Sequence, residues 1–284
     1  MYYSGRNAIR RLQIGVSFSE DGFNWRKYAN NPIVSCGPPG NWDADDVYCP
    51  VVWKDGEVWN MIFTGIASNH YQIGLAQSND GLKWFKSRHN PVFCSSNRAS
   101  VNAFGKPETE GWGLFSDESG FYLLHNSVTK KPREVYVAYS RDLVSWKSSS
   151  SLPLLASEGH SFQLGYMKYC AWPHKLGEDF LVFSAVSNKR YSKSAIGLWR
   201  TGSLLGTGKP EFLGYVTRQT PGWCEKEADT PFVVNNQETG DILCYFGGRS
   251  RHRQWTEGIA CIRCSILEAC LRQTRTEKRN RSSN

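Results

Sequence analysis

Apolar and polar residues alternate along most of the chain in short runs separated by Gly, Asp, Asn or Ser. Two stretches are nearly the same, "IGVSFSEDGFNWRKYANNPIV" at residues 14–34 and "IGLAQSNDGLKWFKSRHNPVF" at residues 73–93. Weaker copies begin at Val135, Ile196 and Ile259, so neighbouring copies start 59 to 63 residues apart. Alternation of this kind is typical of strands, and the recurrence indicates a repeated β unit.

Upstream of each later copy lies a second shared pattern, in which a Gly-centred turn joins two apolar runs. The copy before residue 73 reads "DDVYCPVVWKDGEVWNMIFTG". Runs rich in Val, Ile, Phe, Tyr and Trp on both sides of a turn predict a β-hairpin. Each repeat therefore holds up to four strands, which make one propeller blade, and five repeats predict an all-β, five-bladed β-propeller.

The first repeat starts halfway through a blade. Its "MYYSGRNAIRRLQIG" aligns with "MIFTGIASNHYQIG" of the second repeat, so the first blade lacks a counterpart of the inner strand. Because an open ring exposes unpaired strand edges, we expect a fragment, a start at an internal methionine, or closure by another segment. The propeller domain is predicted over residues 1–267, and residues 268–284 are expected to be a basic, disordered tail.

Composition limits the cellular location, the partners and the cofactors that are expected for the protein. Nine cysteines without a framework of spacings, and no leader or membrane-spanning run, predict a soluble cytoplasmic protein. The net charge of +8 is partly concentrated in the tail, so neither nucleic acid nor a membrane is the expected partner; the oligomeric state stays open. Cys261 and Cys264 form a lone CxxC without a second pair, and neither a metal nor a cofactor is expected.

Residues just before the first strand and just after the second strand of each inner hairpin share one rim of a propeller. Carboxylates are abundant at these positions. Because clustered carboxylates raise one another's pKa, they suit general acid and base catalysis at a glycosidic bond. Aromatic faces that suit sugar rings, and basic groups that suit an anion, stand between them. The rim candidates are Trp42, Asp45, Asp46, Glu110, Trp172, Glu227, Asp229, Arg249 and His252.

The sequence motifs "PVVxKDGxxWxMxxTG", "IGxAxSxDGxxW" and "NPV", in this order, resemble those of the five-bladed glycosidase superfamily. Its members include arabinanases and β-xylosidases, invertases and levansucrases, and β-mannoside phosphorylases. The resemblance covers nearly the whole chain and implies three carboxylates from different inner strands: a first-blade nucleophile or base, a modulator and a general acid. Fold does not fix the reaction, so the site residues carry that part of the argument.

Carried over residue by residue, the superfamily pattern matches this sequence only in part. The first-blade carboxylate has no position here. Glu110, before "LFSDESG", approximately matches the third-blade aspartate, and the fourth-blade acid falls on Ala171. Asp46, Glu227 and Asp229 are the clearest matches to a carboxylate ahead of a strand proline.

We therefore predict a carbohydrate-active enzyme, a hydrolase or a phosphorylase, that cleaves a glycosidic bond of an oligo- or polysaccharide. The predicted catalytic residues are Asp46, Glu110 and Glu227, and the predicted substrate-binding residues are Trp42, Asp45, Asp229, Trp172, Arg249 and His252. In a phosphorylase one acid suffices, because phosphate is the nucleophile and Arg249 and His252 would hold it. The alternative is a non-catalytic propeller that binds glycan or protein on the same face.

Two further features are interpreted as structural. "SEDGFNW" and "SNDGLKW" resemble the sialidase Asp-box, but their Asp-Gly pairs are predicted to form outer hairpin turns, with Trp25 or Trp84 packing between blades. His125 follows an inner hairpin and is a candidate ion ligand, although a hydrogen-bonded structural role is favoured.

Overall fold

The strands of the protein form five antiparallel sheets that follow one another along the chain. The computed structural model describes residues 1–95, 108–126, 133–148, 152–156, 166–187, 193–205, 208–217, 227–235, 241–249 and 258–263. All regular elements within these ranges are strands. The same ranges contain no helix with the length and hydropathy that membrane crossing requires. The prediction of an all-β, five-bladed β-propeller is confirmed.

The first compact unit comprises Met1–Lys131 and Tyr136–Leu152 and holds the first three sheets, apart from Val135. Among the described residues, the first sheet has three strands and the next two have four each, so within these residues the first blade lacks its inner strand, as predicted. The strands are β1 (Tyr2–Arg6), β2 (Leu12–Phe18) and β3 (Arg26–Lys27); β4 (Asp46–Asp55), β5 (Val58–Ala67), β6 (His70–Ser78) and β7 (Phe85–Lys86); β8 (Glu110–Asp117), β9 (Gly120–Asn126), β10 (Val135–Ser140) and β11 (Lys147–Ser148).

The second compact unit comprises Pro132–Val135 and Pro153–Asn284 and holds the last two sheets. The fourth sheet has four strands, and the described part of the fifth has three. Their strands are β12 (Tyr166–Leu176), β13 (Asp179–Ser187), β14 (Ser194–Thr201) and β15 (Glu211–Tyr215), followed by β16 (Glu227–Asn235), β17 (Ile242–Arg249) and β18 (Gly258–Arg263).

A β-bulge interrupts the register of every inner strand described, namely β4, β8, β12 and β16. In three of these strands the bulge contains a non-glycine residue with positive φ: Cys49 (54°), Cys170 (63°) and Thr230 (51°). A bulge bends the strand and changes the direction of nearby side chains. The inner strands therefore turn at the end where the predicted rim residues lie.

A glycine opposite an aromatic ring explains the repeated "IG" of the sequence. Gly15 pairs directly with Tyr3, and Gly74 pairs directly with Phe63. A Cβ atom on Gly74 would come within 2.6 Å of both the Phe63 ring and the Trp42 ring. Only a residue without a side chain leaves room for the Phe63 and Trp42 rings at this position of β6.

The rings of Phe63 and Trp42 belong to a core between the first two sheets. Trp84 packs against the same core, as predicted, whereas Trp25 is 37% exposed. The fully buried members of this core are Ile14, Val34, Val47, Met61, Phe63 and Ala76. A corresponding core between the fourth and fifth sheets includes Leu181, Phe183, Ile196, Val233 and Phe246.

The outer turns of the first three sheets each form the same set of local hydrogen bonds. In the second sheet, Oδ1 of Asp80 accepts the hydroxyl of Ser78 at 2.9 Å and the backbone N–H groups of Leu82 and Lys83 at 2.8 Å. The indole N–H of Trp84 donates to the Gly81 carbonyl at 3.0 Å. These bonds close the turn locally, so the Asp-Gly motif is scaffold, as predicted. The copies at residues 19–25 and 140–146 form the same bonds.

Replacement of Gly74 tests the packing of the rings. Gly74→Ala should lower the free energy of unfolding by about 1–3 kcal/mol, because the added methyl group displaces both aromatic rings. Urea unfolding should show a lower midpoint with an unchanged slope. Gly208→Ala is the matched control, since a Cβ at Gly208 meets no atom within 4 Å. Equal stability of the two variants would contradict this account.

Candidate functional site

The predicted carboxylates lie at the start of the inner strands. Asp46 is the first residue of β4, Glu110 of β8 and Glu227 of β16. Their cross-strand partners, Ile66, Asn126 and Arg249, lie at or near the end of the second strand of each hairpin. The hairpin register therefore places the start of the first strand beside the end of the second, as the rim argument required.

In the first unit, Glu110 receives a hydrogen bond from a neighbouring sheet. The hydroxyl of Tyr48, on β4, donates to Oε1 of Glu110, on β8. Both side chains are buried, with 9% and 6% exposure. Burial, followed by the nearby Glu110 carboxylate, raises the pKa of Tyr48 well above its usual value of 10. Tyr48 is therefore protonated and is the donor of this bond.

Tyr48 was not among the residues proposed from the sequence. It stands two positions after Asp46 on β4, and alternate residues of a strand share a face. The spacing of two residues from Asp46 was therefore the sequence signal that could have identified Tyr48. Its partner Glu110 lies 62 residues further along the chain, so the pairing itself depends on how the two sheets meet.

The aspartates around the start of β4 accept hydrogen bonds or form an ion pair. Oδ1 of Asp46 accepts the backbone N–H of Leu12 at 2.5 Å, and Oδ2 of the exposed Asp45 accepts that of Ser68 at 2.7 Å. Asp43 is buried and forms an ion pair with Lys86 at 2.5 Å. Asp46 is partly exposed. Of the three aspartates, Asp43 is thus a structural residue, while Asp45 and Asp46 keep contact with solvent.

Trp42 lies in the packing between the first two sheets. Its ring centroid is 5.6 Å from that of Phe63, at an interplanar angle of 37°. A Cβ atom on Gly65 would come within 2.3 Å of the Trp42 ring, so the indole lies directly on the β5 backbone. This placement gives Trp42 a packing role, and its predicted role in sugar binding stays a prediction.

In the second unit, the carboxylate of Glu227 forms an ion pair with the guanidinium group of Arg249. Asp229, two residues further along β16, is also buried. Trp172 meets Phe232 edge to face, with 4.5 Å between the ring centroids, and Phe232 is 41% exposed. Trp172 and Phe232 therefore form an aromatic surface that is partly open to solvent. His252 lies outside the described residues.

His125, the candidate ion ligand, is buried and contacts two aromatic rings. Its ring centroid is 5.2 Å from that of Phe93 and 5.9 Å from that of Tyr136. Within the part of the chain that the structure describes, neither ring nitrogen has a hydrogen-bond partner, so the favoured hydrogen-bonded role is wrong. Burial lowers the pKa of His125 from its usual 6.5 to about 3, and the imidazole is neutral. Among the described residues, no group of three His, Cys, Asp or Glu side chains is arranged to hold a metal ion.

A family model matches most of the chain. The model for glycoside hydrolase family 130, described as β-1,4-mannooligosaccharide phosphorylase, matches residues 1–189. The matched segment contains the first three sheets and the start of the fourth, including Asp46, Tyr48 and Glu110. No curated protein matches the chain.

Several solved structures share the fold. A β-1,2-mannobiose phosphorylase from Listeria innocua, in complex with β-1,2-mannobiose, is 15% identical with a TM-score of 0.68, over 93% of this chain and 70% of that one. An endo-arabinase from Bacteroides thetaiotaomicron is 15% identical with a TM-score of 0.67, over 92% and 88%. A β-fructofuranosidase from Bombyx mori is 17% identical with a TM-score of 0.61, over 89% and 53%. Identities this low show the fold and not the activity.

The neutral state of His125 predicts a pH dependence of stability. Because the folded pKa of about 3 is below the unfolded value of 6.5, the unfolded chain binds an extra proton between these values, and stability falls as pH falls through this window. Relative to pH 7, the contribution at pH 5 is a loss of about 2 kcal/mol.

His125→Phe should remove this contribution while it preserves the aromatic packing. Urea unfolding at pH 7 and pH 5 measures the difference, and His89→Gln, at an exposed histidine, is the control that should leave it unchanged. An unaltered pH dependence in His125→Phe would show that His125 is not responsible.

Proposed function

From the premise that this chain belongs to glycoside hydrolase family 130, the β-1,4-mannooligosaccharide phosphorylase family, we propose that it cleaves a β-mannosidic bond of an oligosaccharide. Membership makes the chain a carbohydrate-active enzyme of the glycoside hydrolase or phosphorylase type. The family description supports a β-linked manno-oligosaccharide as substrate, and inorganic phosphate as the group that receives the sugar.

The placement of carboxylates at the first positions of neighbouring inner strands carries the proposal. In the first unit, Asp46 opens β4 and Glu110 opens β8, and both strands belong to the segment that the family model matches. Asp46 is partly exposed and Glu110 is buried in contact with Tyr48. Two carboxyl groups in such different surroundings suit different roles, one as proton donor and one as a charged group.

In the proposed reaction, a phosphate oxygen attacks the anomeric carbon while the bond from that carbon to the glycosidic oxygen breaks. A carboxylic acid transfers its proton to the leaving oxygen. The products are a sugar 1-phosphate and an oligosaccharide shortened by one unit. One acid is sufficient, because phosphate itself supplies the nucleophile. We assign the proton donor to Asp46 or Glu110.

Hydrolysis is the second candidate reaction, and the ion pair of Arg249 favours it. Arg249 was predicted to hold phosphate, but its guanidinium group is already paired with Glu227. A paired guanidinium offers fewer donors and less net charge to an anion. In a hydrolase, water would replace phosphate and a second carboxylate would act as base.

We also propose a reducing, cytoplasmic location. The cysteines of the described residues form no disulfide, and several of them are buried. Unbridged thiols support this proposal, because disulfides are rare in reducing compartments.

Replacement of the two carboxylates tests the reaction. Asp46→Asn and Glu110→Gln should each lower kcat/KM for β-1,4-mannobiose by about 10²–10⁴-fold, with little change in thermal stability. The assay measures sugar 1-phosphate and free mannose with and without inorganic phosphate. Glu57→Gln, at an exposed hairpin residue, is the control.

The products decide between the two reactions. A phosphate-dependent sugar 1-phosphate identifies phosphorolysis, and free mannose that forms without phosphate identifies hydrolysis. Activity of Asp46→Asn and Glu110→Gln equal to that of Glu57→Gln would remove both carboxylates from the site. Absence of cleavage with β-1,4-mannobiose, β-1,4-mannotriose and β-1,2-mannobiose would contradict the proposed substrate class.

A further inference from the structure

The bond between Tyr48 and Glu110 joins two sheets at the point where both inner strands begin. Tyr48 is the third residue of β4, directly before the bulge at Cys49, and Glu110 is the first residue of β8. A tyrosine hydroxyl that donates to a carboxylate forms a charge-assisted bond, which is about twice as strong as a bond between neutral groups. Such a bond is strongest where water is excluded, and both side chains are buried.

We propose that Tyr48 is a positioning residue that holds Glu110 in its ionised form and fixes the orientation of its carboxylate at the start of β8. The bond favours the charged form of Glu110, since the protonated acid is the weaker acceptor. The inference rests on the proposed function, because it assumes that Glu110 takes part in cleavage.

Several further polar and titratable groups lie near the pair. Cys49 and Tyr71, from the second sheet, lie near Tyr48, and both raise its pKa. Glu108 is buried and lies two residues before Glu110, and the neutral His125, on β9, lies opposite Gly111. The hydroxyl of Tyr48 donates directly to the buried Glu110 carboxylate, so its removal acts on that carboxylate itself.

This arrangement divides the roles of the two carboxyl groups. An ionised Glu110 stabilises the positive charge that develops at the anomeric carbon, and it does not deliver a proton. The proton donor is then Asp46, which opens the neighbouring strand and remains partly exposed. Strand β4 thus carries both the proton donor, Asp46, and Tyr48, which keeps Glu110 ionised.

The pH dependence of Tyr48→Phe tests the inference. The variant keeps the ring and removes the donor, so the pKa of Glu110 should rise. The acidic limb of kcat/KM should move to higher pH by about 1–2 units, measured with β-1,4-mannobiose and phosphate. Tyr2→Phe is the control: Tyr2 also donates a phenolic hydrogen bond, to the Gly81 carbonyl at 3.0 Å, but not to a carboxylate. Its acidic limb should stay in place.

A second measurement does not depend on activity. Carbon NMR of protein labelled at the glutamate carboxyl groups, with Glu110→Gln for assignment, follows the titration of Glu110 directly. The Glu110 signal should titrate about 1–2 pH units higher in Tyr48→Phe than in the parent protein. Replacement of Tyr48 by 3-fluorotyrosine, a stronger donor that keeps the ring and the hydroxyl, should shift the titration in the opposite direction.

The outcomes separate the two proposals. Full activity of Glu110→Gln would contradict the role of Glu110 in the proposed function. Loss of activity in Glu110→Gln, with an unmoved limb and an unmoved Glu110 titration in Tyr48→Phe, would overturn only the role of Tyr48. A limb that shifts equally in Tyr2→Phe would also overturn it, because the effect would then follow from any lost tyrosine bond.

Discussion

Close packing between the first two sheets depends on glycines that leave space for aromatic rings. Trp42 lies against Gly65 and Gly74, and Phe63 lies against Gly74 on the strand beside it. Any side chain at these glycines would push the rings outward and separate the sheets. The loop that carries Trp42 leads directly into Asp45, Asp46 and β4. The packing of Trp42 against these glycines therefore helps to fix the position of the carboxylates at the start of β4, although Trp42 itself has a packing role.

The sequence pattern predicts most of the fold and part of the site. Alternating runs and a recurring motif were sufficient for the five sheets, because strand formation and turn chemistry are local properties. Starts of inner strands were also predictable, so Asp46, Glu110 and Glu227 were placed correctly along their strands. Whether these residues act in catalysis is a separate question, which strand positions do not answer.

Pairings between side chains were not predictable, since they depend on how sheets approach one another. Tyr48, in the second sheet, donates a hydrogen bond to Glu110, in the third, and Arg249 forms an ion pair with Glu227 on the adjacent strand of its hairpin. His125 is enclosed by Phe93 and Tyr136, and no local signal indicates that its nitrogens remain unbonded. In each case the decisive fact is the distance between side chains that are not neighbours in the sequence.

The turn at residues 140–146 bears on how such repeats are recognised. Leu143 occupies the position that glycine holds in the first two copies and adopts a φ of 63°. Asp142 and Trp146 nevertheless form the same hydrogen bonds as their counterparts. The network of the aspartate therefore tolerates a residue that the backbone conformation disfavours. A sequence search that requires glycine after the aspartate would miss this blade and undercount the repeats of related propellers.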